Sequence, residues 1–349
     1  MERRGSRLSR RQFVVGASGA GLGLVAGCGR LPWQETAQAS RTARFARIGC
    51  LLAATPDAQA ERLQAFQQGL ATYGYLEGRD ITLEVRYANG ALDRMPALAA
   101  ELVALPVAVI VTGATAFAEV VRQVTSTIPI VVAGSGGDLV NSGLAASLAH
   151  PGGNVTGLSI PTELEGKRLQ LLTQTASGIS RVAVLRDASA SEQFQALAHT
   201  TKQSFYEGFA RVLGIQLQVL NVGSPEDIES AFAAATEDRA EGLWVPTTPL
   251  IAIQRQRIIA LAAKHRLPAV YGRREYVEDG GLMSYEPRIT GLWQRAAYYV
   301  DRILKGAHPA DLPVEQPMVF DFVVNMKTAR DLGITFPNEI LLQVTEVIE

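Results

Sequence analysis

The residue with the most readable chemistry is Cys28, which closes the run Leu24-Val25-Ala26-Gly27-Cys28. Small side chains ahead of a cysteine let a peptidase reach the backbone. The pattern resembles a lipobox, in which the thiol is acylated and becomes the new N-terminus. Each buried methylene of an acyl chain contributes about 0.8 kcal/mol, so several chains anchor firmly where one does not. Upstream, 1–11 is strongly basic, and Ser9-Arg10-Arg11-Gln12-Phe13 resembles a twin-arginine export motif built on Arg10 and Arg11. The apolar, Gly-rich stretch 13–26 falls short of the about 20 residues that span a bilayer as a helix. Residues 1–28 are therefore expected to be a signal peptide with a lipobox, and 29–45 a polar tether. The alternatives are an incidental cysteine and the general export route.

Elsewhere the residue types exclude more chemistry than they offer. His150, His199, His265 and His308 are scattered, with no i,i+4 pair and no cysteine partner, so no metal site is expected. Cys50 sits in an apolar run and reads as a small buried hydrophobe. The glycines of 16–23 lie in the leader, with no strand before them and no acidic ribose ligand after them. Ala133-Gly134-Ser135-Gly136-Gly137 matches a nucleophile elbow only in part, and no histidine is placed as its base. No catalytic residue and no cofactor is expected. A net charge of -1, without a basic stripe, excludes nucleic acid as a partner.

The elements that would position a site come in two series. β-branched runs at 48–53, 81–88, 107–113 and 128–134 alternate with helical periods at 61–73, 93–105 and 114–124, with Asp93 as the N-cap of the second helix. Glycine-rich breaks follow at 134–138 and 150–154. The alternation then restarts, with strands at 182–186, 215–222, 243–246 and 269–272 and helices at 162–175, 193–213, 225–236 and 251–265. A helix at 292–304, a Pro-marked connector and a strand at 319–325 close the chain. The expected class is α/β, with two doubly wound parallel-sheet lobes. The lobes are assigned to 46–156 plus about 286–312, and to 157–285 plus about 313–349.

Six blocks carry a family resemblance: Tyr73-Gly74-Tyr75-Leu76-Glu77-Gly78-Arg79-Asp80-Ile81, Ala149-His150-Pro151-Gly152-Gly153-Asn154-Val155-Thr156-Gly157, Gly166-Lys167-Arg168-Leu169, Leu261-Ala262-Ala263-Lys264-His265-Arg266-Leu267-Pro268-Ala269, Gly280-Gly281-Leu282-Met283-Ser284-Tyr285 and Leu312-Pro313-Val314-Glu315-Gln316-Pro317. Together they resemble the ABC-transporter substrate-binding family that includes tryptophan- and tyrosine-binding lipoproteins. The resemblance implies a type I periplasmic-binding-protein fold, a multi-strand hinge, and a permease and ATPase as partners. It implies an extracytoplasmic receptor, monomeric and held at the periplasmic face by its lipid, that closes on a small molecule such as an amino acid. A sensory ligand-binding module or an exported α/β hydrolase is the alternative. Two loops depart from the family. Asp138 precedes Leu139 where an Asp-Pro pair is usual, and Arg186-Asp187-Ala188 stands where Asn-Pro is usual.

Ligands of open α/β sheets bind beyond the carboxyl ends of the strands, which places the candidate residues in the cleft. Gly113, Ala114 and Thr115 open a helix whose N–H groups suit a carboxylate, or they form a plain cap. Thr55 ends the first strand similarly. Asp138 either pairs with a ligand ammonium or caps a helix beginning near Leu139. In the second lobe the candidates are Arg186, Asp187, Thr247, with Thr248 beside it, and Tyr271, Arg273 and Tyr285. Surface salt bridges are the alternative for the charged members, with Glu275 near Arg273, and packing is the alternative for the aromatic ones. If Cys28 carries the lipid, Cys28→Ala should move the exported protein from the membrane to the soluble fraction; full retention would contradict the anchor.

Overall fold

The computed structural model describes residues 45–134, 136–161, 163–176, 178–188 and 202–349. The leader, Cys28, Arg10, Arg11 and the tether before Phe45 lie outside them, as do Ser135 and the first part of the helix expected at 193–213.

The chain runs β1 (Ala46–Leu52), α1 (Pro56–Thr72), β2 (Ile81–Tyr87), α2 (Met95–Ala104), β3 (Val109–Thr112), α3 (Thr115–Val124), β4 (Ile130–Ala133), β5 (Val155–Leu158) and α4 (Glu163–Thr175). It continues through β6 (Arg181–Asp187), α5 (Lys202–Leu213), β7 (Gln216–Val222), α6 (Asp227–Glu237), β8 (Gly242–Val245), α7 (Pro249–Ile253), α8 (Arg255–Lys264), β9 (Ala269–Tyr271), α9 (Arg274–Glu278) and β10 (Met283–Pro287). Last come α10 (Ile289–Leu304), β11 (Phe320–Asn325), α11 (Met326–Leu332), α12 (Asn338–Leu341) and β12 (Glu346–Ile348).

Two sheets result, one ordered β2-β1-β3-β4-β5 and the other β12-β11-β10-β9-β8-β6-β7. Every pairing is parallel except β10 with β11. This is the two-sheet α/β architecture expected from the alternation. We call the part built on the five-stranded sheet lobe I and the part built on the seven-stranded sheet lobe II.

Both faces of each sheet are covered, which is why the central strands are apolar throughout rather than alternating. Val109, Ile110, Val111 and Ile130, Val131, Val132 are fully buried. One face of lobe I packs α1 and α10, with Phe66 edge-on to Trp293 at 6.3 Å. Gly69 makes that approach possible, because a Cβ there would lie 2.4 Å from the Gln294 carbonyl oxygen. The opposite face packs α2 and α3. Trp244 is buried in the lobe II core. Cys50 is fully buried in β1, and burial, with Glu77 adding to it, pushes its thiol up to about 12. That thiol is inert at neutral pH.

Several elements differ from expectation. β5, β10 and β12 were not foreseen: β5 contains a glycine and β10 ends in Glu286-Pro287, so neither reads as a β-branched run. Gly157 is required in β5, since its φ is +123° and a Cβ would meet the Val132 carbonyl oxygen at 2.3 Å. Asp93 does not cap α2. It lies in a 3-10 turn, Leu92–Arg94, and α2 starts at Met95 with Pro96 in its first turn, where a missing N–H costs nothing. Pro56 likewise starts α1 earlier than its apolar stripe suggests.

The chain passes between the sheets three times: after β5, after β10 and before β11. Two passages run side by side, with Ser159 N–H donating to the Glu315 carbonyl (2.9 Å) and Glu315 N–H to that of Gly157 (3.0 Å). At the third, Arg288 N–H donates to the Val319 carbonyl at 3.1 Å, and its guanidinium forks onto Asp321 at 2.7 and 3.2 Å. Arg295 of α10 grips Glu315 in the same bidentate way, at 2.6 and 2.9 Å.

Candidate functional site

The carboxyl ends of the lobe I strands carry Thr55, Gly113, Ala114 and Thr115. Thr55 is the extended N-cap of α1, and its hydroxyl makes no capping bond. Ala114 is the N-cap of α3 and has no side chain with which to cap. Thr115 N–H donates to the Gly136 carbonyl at 2.9 Å. Its hydroxyl is buried and has no hydrogen-bond partner among the described residues. Gly137, at φ +89°, leaves room for that hydroxyl: a Cβ there would sit 2.7 Å from it. Asp138 is occupied locally. Its Oδ1 accepts from Val140 and Asn141 N–H at 2.8 and 3.0 Å, and Oδ2 from the Asn141 amide at 3.2 Å. What it caps is a turn, not the helix expected at Leu139.

The candidates of lobe II fall in three settings. Arg186 Nε donates to Asn221 Oδ1 at 2.6 Å on the exposed sheet edge, and Asp187 ends the same strand. Thr247 is exposed and abuts Gly272, where a Cβ would be 2.4 Å from its hydroxyl; Thr248 caps α7 with a buried hydroxyl lacking a partner among the described residues. Tyr271 belongs to the core of lobe II: its ring is buried, stacked on Tyr276 at 4.9 Å and covered by Gly281. Burial raises its phenol further. Tyr285 is half-exposed, stacked on Phe320 at 5.4 Å and edge-on to Phe322 at 6.0 Å, where the cores of the two lobes meet.

Arg273 organises the rest. Its Nη2 donates to Glu275 Oε1 at 2.7 Å, and its Nε lies 3.1 Å from Glu286 Oε2 without completing a hydrogen bond. Glu286 Oε1 accepts the Arg274 N–H at 2.7 Å. Burial opposes the charge on Arg273, but Glu286 and Glu275 outweigh it and hold the guanidinium above its usual range. Burial also works to raise both carboxyls. It wins at Glu286, while at Glu275 the Arg273 charge and hydrogen bonds hold the carboxyl low. Arg168 braces this corner, donating to the Tyr285 carbonyl and to Glu165, both at 2.7 Å.

Lobe I reaches the same cluster. Arg62 of α1, which donates to Gln59 Oε1 at 3.1 Å, is brought down to about 10 by burial and by the facing Arg273 charge. Glu275 and Glu286 act on it in the opposite sense. The lobes also touch at Gly90, after β2, where a Cβ would lie 3.4 Å from Ile253 Cδ1 of α7. The two lobes are therefore near one another at Gly90 and Ile253.

Sequence reasoning missed Arg62, Glu286, Ser284 and Tyr276. A strand at 283–287 would have put Ser284 and Glu286 on one face, and both are buried. Nothing in the local sequence separates Arg62 from an ordinary surface arginine.

The residues 48–348 match the family described as ABC transporter substrate binding protein. The chain belongs to that family. A tyrosine-binding protein of Clostridioides difficile is 23% identical over 273 residues, covering 77% of this chain and 75% of that protein. A conserved domain protein of Vibrio cholerae superposes with a TM-score of 0.78 at 25% identity, covering 87% of this chain and all of that one. The ABC domain from Streptococcus pneumonia in complex with L-Trp superposes with a TM-score of 0.76, again at 25% identity and 87% of this chain. The fold is that of a type I periplasmic binding protein, and the family binds solutes for ABC transporters.

Replacing Arg273 by Met would leave Glu286 buried without its counter-charge, and the partly exposed Glu275 without its partner, so the unfolding free energy should fall by up to about 3 kcal/mol at pH 7. The Glu286 carboxyl, raised by burial already, would then titrate higher still in the folded chain. The native variant would take up that proton before the unfolded chain does, and the deficit should shrink as the pH falls from 7 towards about 4.3. Denaturant midpoints across that range check this; a deficit that grows on acidification contradicts it.

Proposed function

We propose that this chain is the extracytoplasmic receptor of an ABC importer, closing two lobes around a small zwitterion such as an amino acid. One observation carries the reading: polar groups are buried at the strand ends of both lobes, with Thr115 on one side and Thr248 and the Arg273 cluster on the other. Buried polar groups cost about 1–3 kcal/mol each when unpaired, so a set gathered in a cleft is a set of contacts for something polar. The Thr115 hydroxyl, at the positive end of the α3 dipole, suits a carboxylate. Binding then shifts the population from open to closed, because only the closed form offers both sets of contacts.

Around this core the finer assignments follow. Export by the twin-arginine route and acylation of Cys28 would hold the monomeric receptor near its permease and ATPase. No described helix is long and apolar enough to cross a membrane, so in this reading the anchor is the lipid. The relatives named for tyrosine and L-Trp support an amino acid as the ligand.

The test is a thermal-shift screen of the mature protein against amino acids, nucleosides and small acids. A ligand present at about 100 times its Kd should add about 2.7 kcal/mol of stability. Stabilisation by an amino acid supports the reading; a shift with another class alone overturns the amino acid assignment.

A further inference from the structure

The base of lobe I, formed by the amino ends of its strands, lies opposite the carboxyl ends that carry Thr115. Phe45 enters β1 at this base. Main-chain bonds join the strand starts into one rim. Ala46 N–H donates to the Asp80 carbonyl at 3.2 Å, Ala108 N–H to that of Arg47 at 2.8 Å and Ile130 N–H to that of Asn154 at 2.7 Å. The Asn154 amide in turn holds the Thr125 and Ile128 carbonyls at 3.3 and 2.9 Å. Lys305, at the end of α10, belongs to the same base: it pairs at 2.6 Å with Asp301, which also accepts from the Tyr75 hydroxyl at 3.2 Å.

Two features of this base face outward. Phe45, Tyr73 at the C-cap of α1, Leu76 in the turn before β2 and Val124 at the end of α3 are all exposed. Single exposed apolar residues are ordinary, but these four share one end of one lobe. The ion pairs of the base, in turn, are layered with the cation outermost. Arg79 is 63% exposed against 31% for Asp80, and Lys305 57% against 5% for Asp301. Arg47–Glu84 and Arg122–Glu119 are ordered the same way. Glu77, an exposed acid of the same turn as Leu76, is held by the Gln67 amide at 2.7 Å. A surface approaching the base meets cations and apolar side chains first. That combination suits an anionic bilayer, where headgroup phosphates meet acyl chains.

The chain before Phe45 singles out the occupant. Residues 29–44 would join an acylated Cys28 directly to this base, and tethering makes even a weak contact intramolecular. The exposed Leu342 and Val347 belong to lobe II, which the tether does not enter. We infer that the base of lobe I is a seat on the anionic bilayer that carries the protein's own lipid. The inference rests on the anchor reading above and goes beyond it by assigning the face of the body that meets the membrane. Seated there, the protein holds the carboxyl ends of its lobe I strands away from the headgroups.

Fluorescence quenching on vesicles tests this. The exported protein, its acylation read by mass spectrometry, is reconstituted into vesicles of phosphatidylethanolamine and phosphatidylglycerol. A thiol-reactive fluorophore is placed on Leu76→Cys or Val124→Cys, with Leu342→Cys as the exposed control on lobe II. Acylated Cys28 and buried Cys50 do not label. Lipids carrying a headgroup spin label should quench at the two base positions at least about twofold more than at the control, and about 0.5 M salt or phosphatidylcholine vesicles should remove most of that difference. Arg79→Gln combined with Arg122→Gln, two surface substitutions, should have the same effect in phosphatidylglycerol. In an acylated protein, quenching at the base no greater than at the control shows the seat to be wrong while the anchor reading stands. A difference that ignores both salt and lipid charge overturns the anionic seat as well. A bare Cys28 in the mass spectrum overturns the anchor reading, and the seat falls with it.

Discussion

A guanidinium mostly buried beyond the end of a parallel strand has to be neutralised where it stands, and Arg273 is held by the buried Glu286 and by Glu275, whose side chain is partly exposed. Neither Arg273 nor Glu286 could be buried alone, because the cost of an unpaired ion would exceed what a local fold can offset. Their positions follow from the sheet. Arg273 is the N-cap of α9, two residues after β9, Glu275 lies in the first turn of α9, and Glu286 comes from β10, which pairs with β9. Arg168 ties α4 to the same corner through a main-chain carbonyl, which gives the cluster rigid walls.

The hinge makes this corner responsive to closure. The three passages between the sheets are hydrogen-bonded to one another or to the strand beside them, so they can bend together without exposing backbone. Arg295 and Glu315 fasten one passage to lobe I, and Arg288 and Asp321 fasten another to lobe II. These pairs are exposed and each contributes little, about 0–1 kcal/mol. Their value is geometric, because they fix how the passages lie against the lobes. On the far side Ile253 of lobe II comes against Gly90 of lobe I.

The parts of the fold fixed by local pattern were legible. Runs such as Val109–Thr112 and Ile130–Ala133 are apolar because both faces are covered, and their spacing with helices gave two sheets. β5 and β10 were not legible, because Gly157 and the Glu286-Pro287 pair are tolerated only in their tertiary setting. The strand-end rule led to Thr115, Thr248 and Arg273, and it led equally to Arg186, which is turned along the sheet edge to Asn221. Tyr271 follows its strand as anticipated, but alternation buries its ring in the core. Arg62 and Tyr276 depend on how the lobes and helices meet, and no short-range signal in the chain carries that information.

The central claim is that the charged corner belongs to a cleft that closes on a solute. Spin labels on Ala91→Cys and Ile253→Cys, in a Cys28→Ala background, report on the two lips directly, since Cys50 is buried and will not label. Continuous-wave spectra should show strong dipolar broadening with bound ligand and its loss when the ligand is dialysed away. Equal broadening with and without a ligand shown by calorimetry to bind would contradict the account.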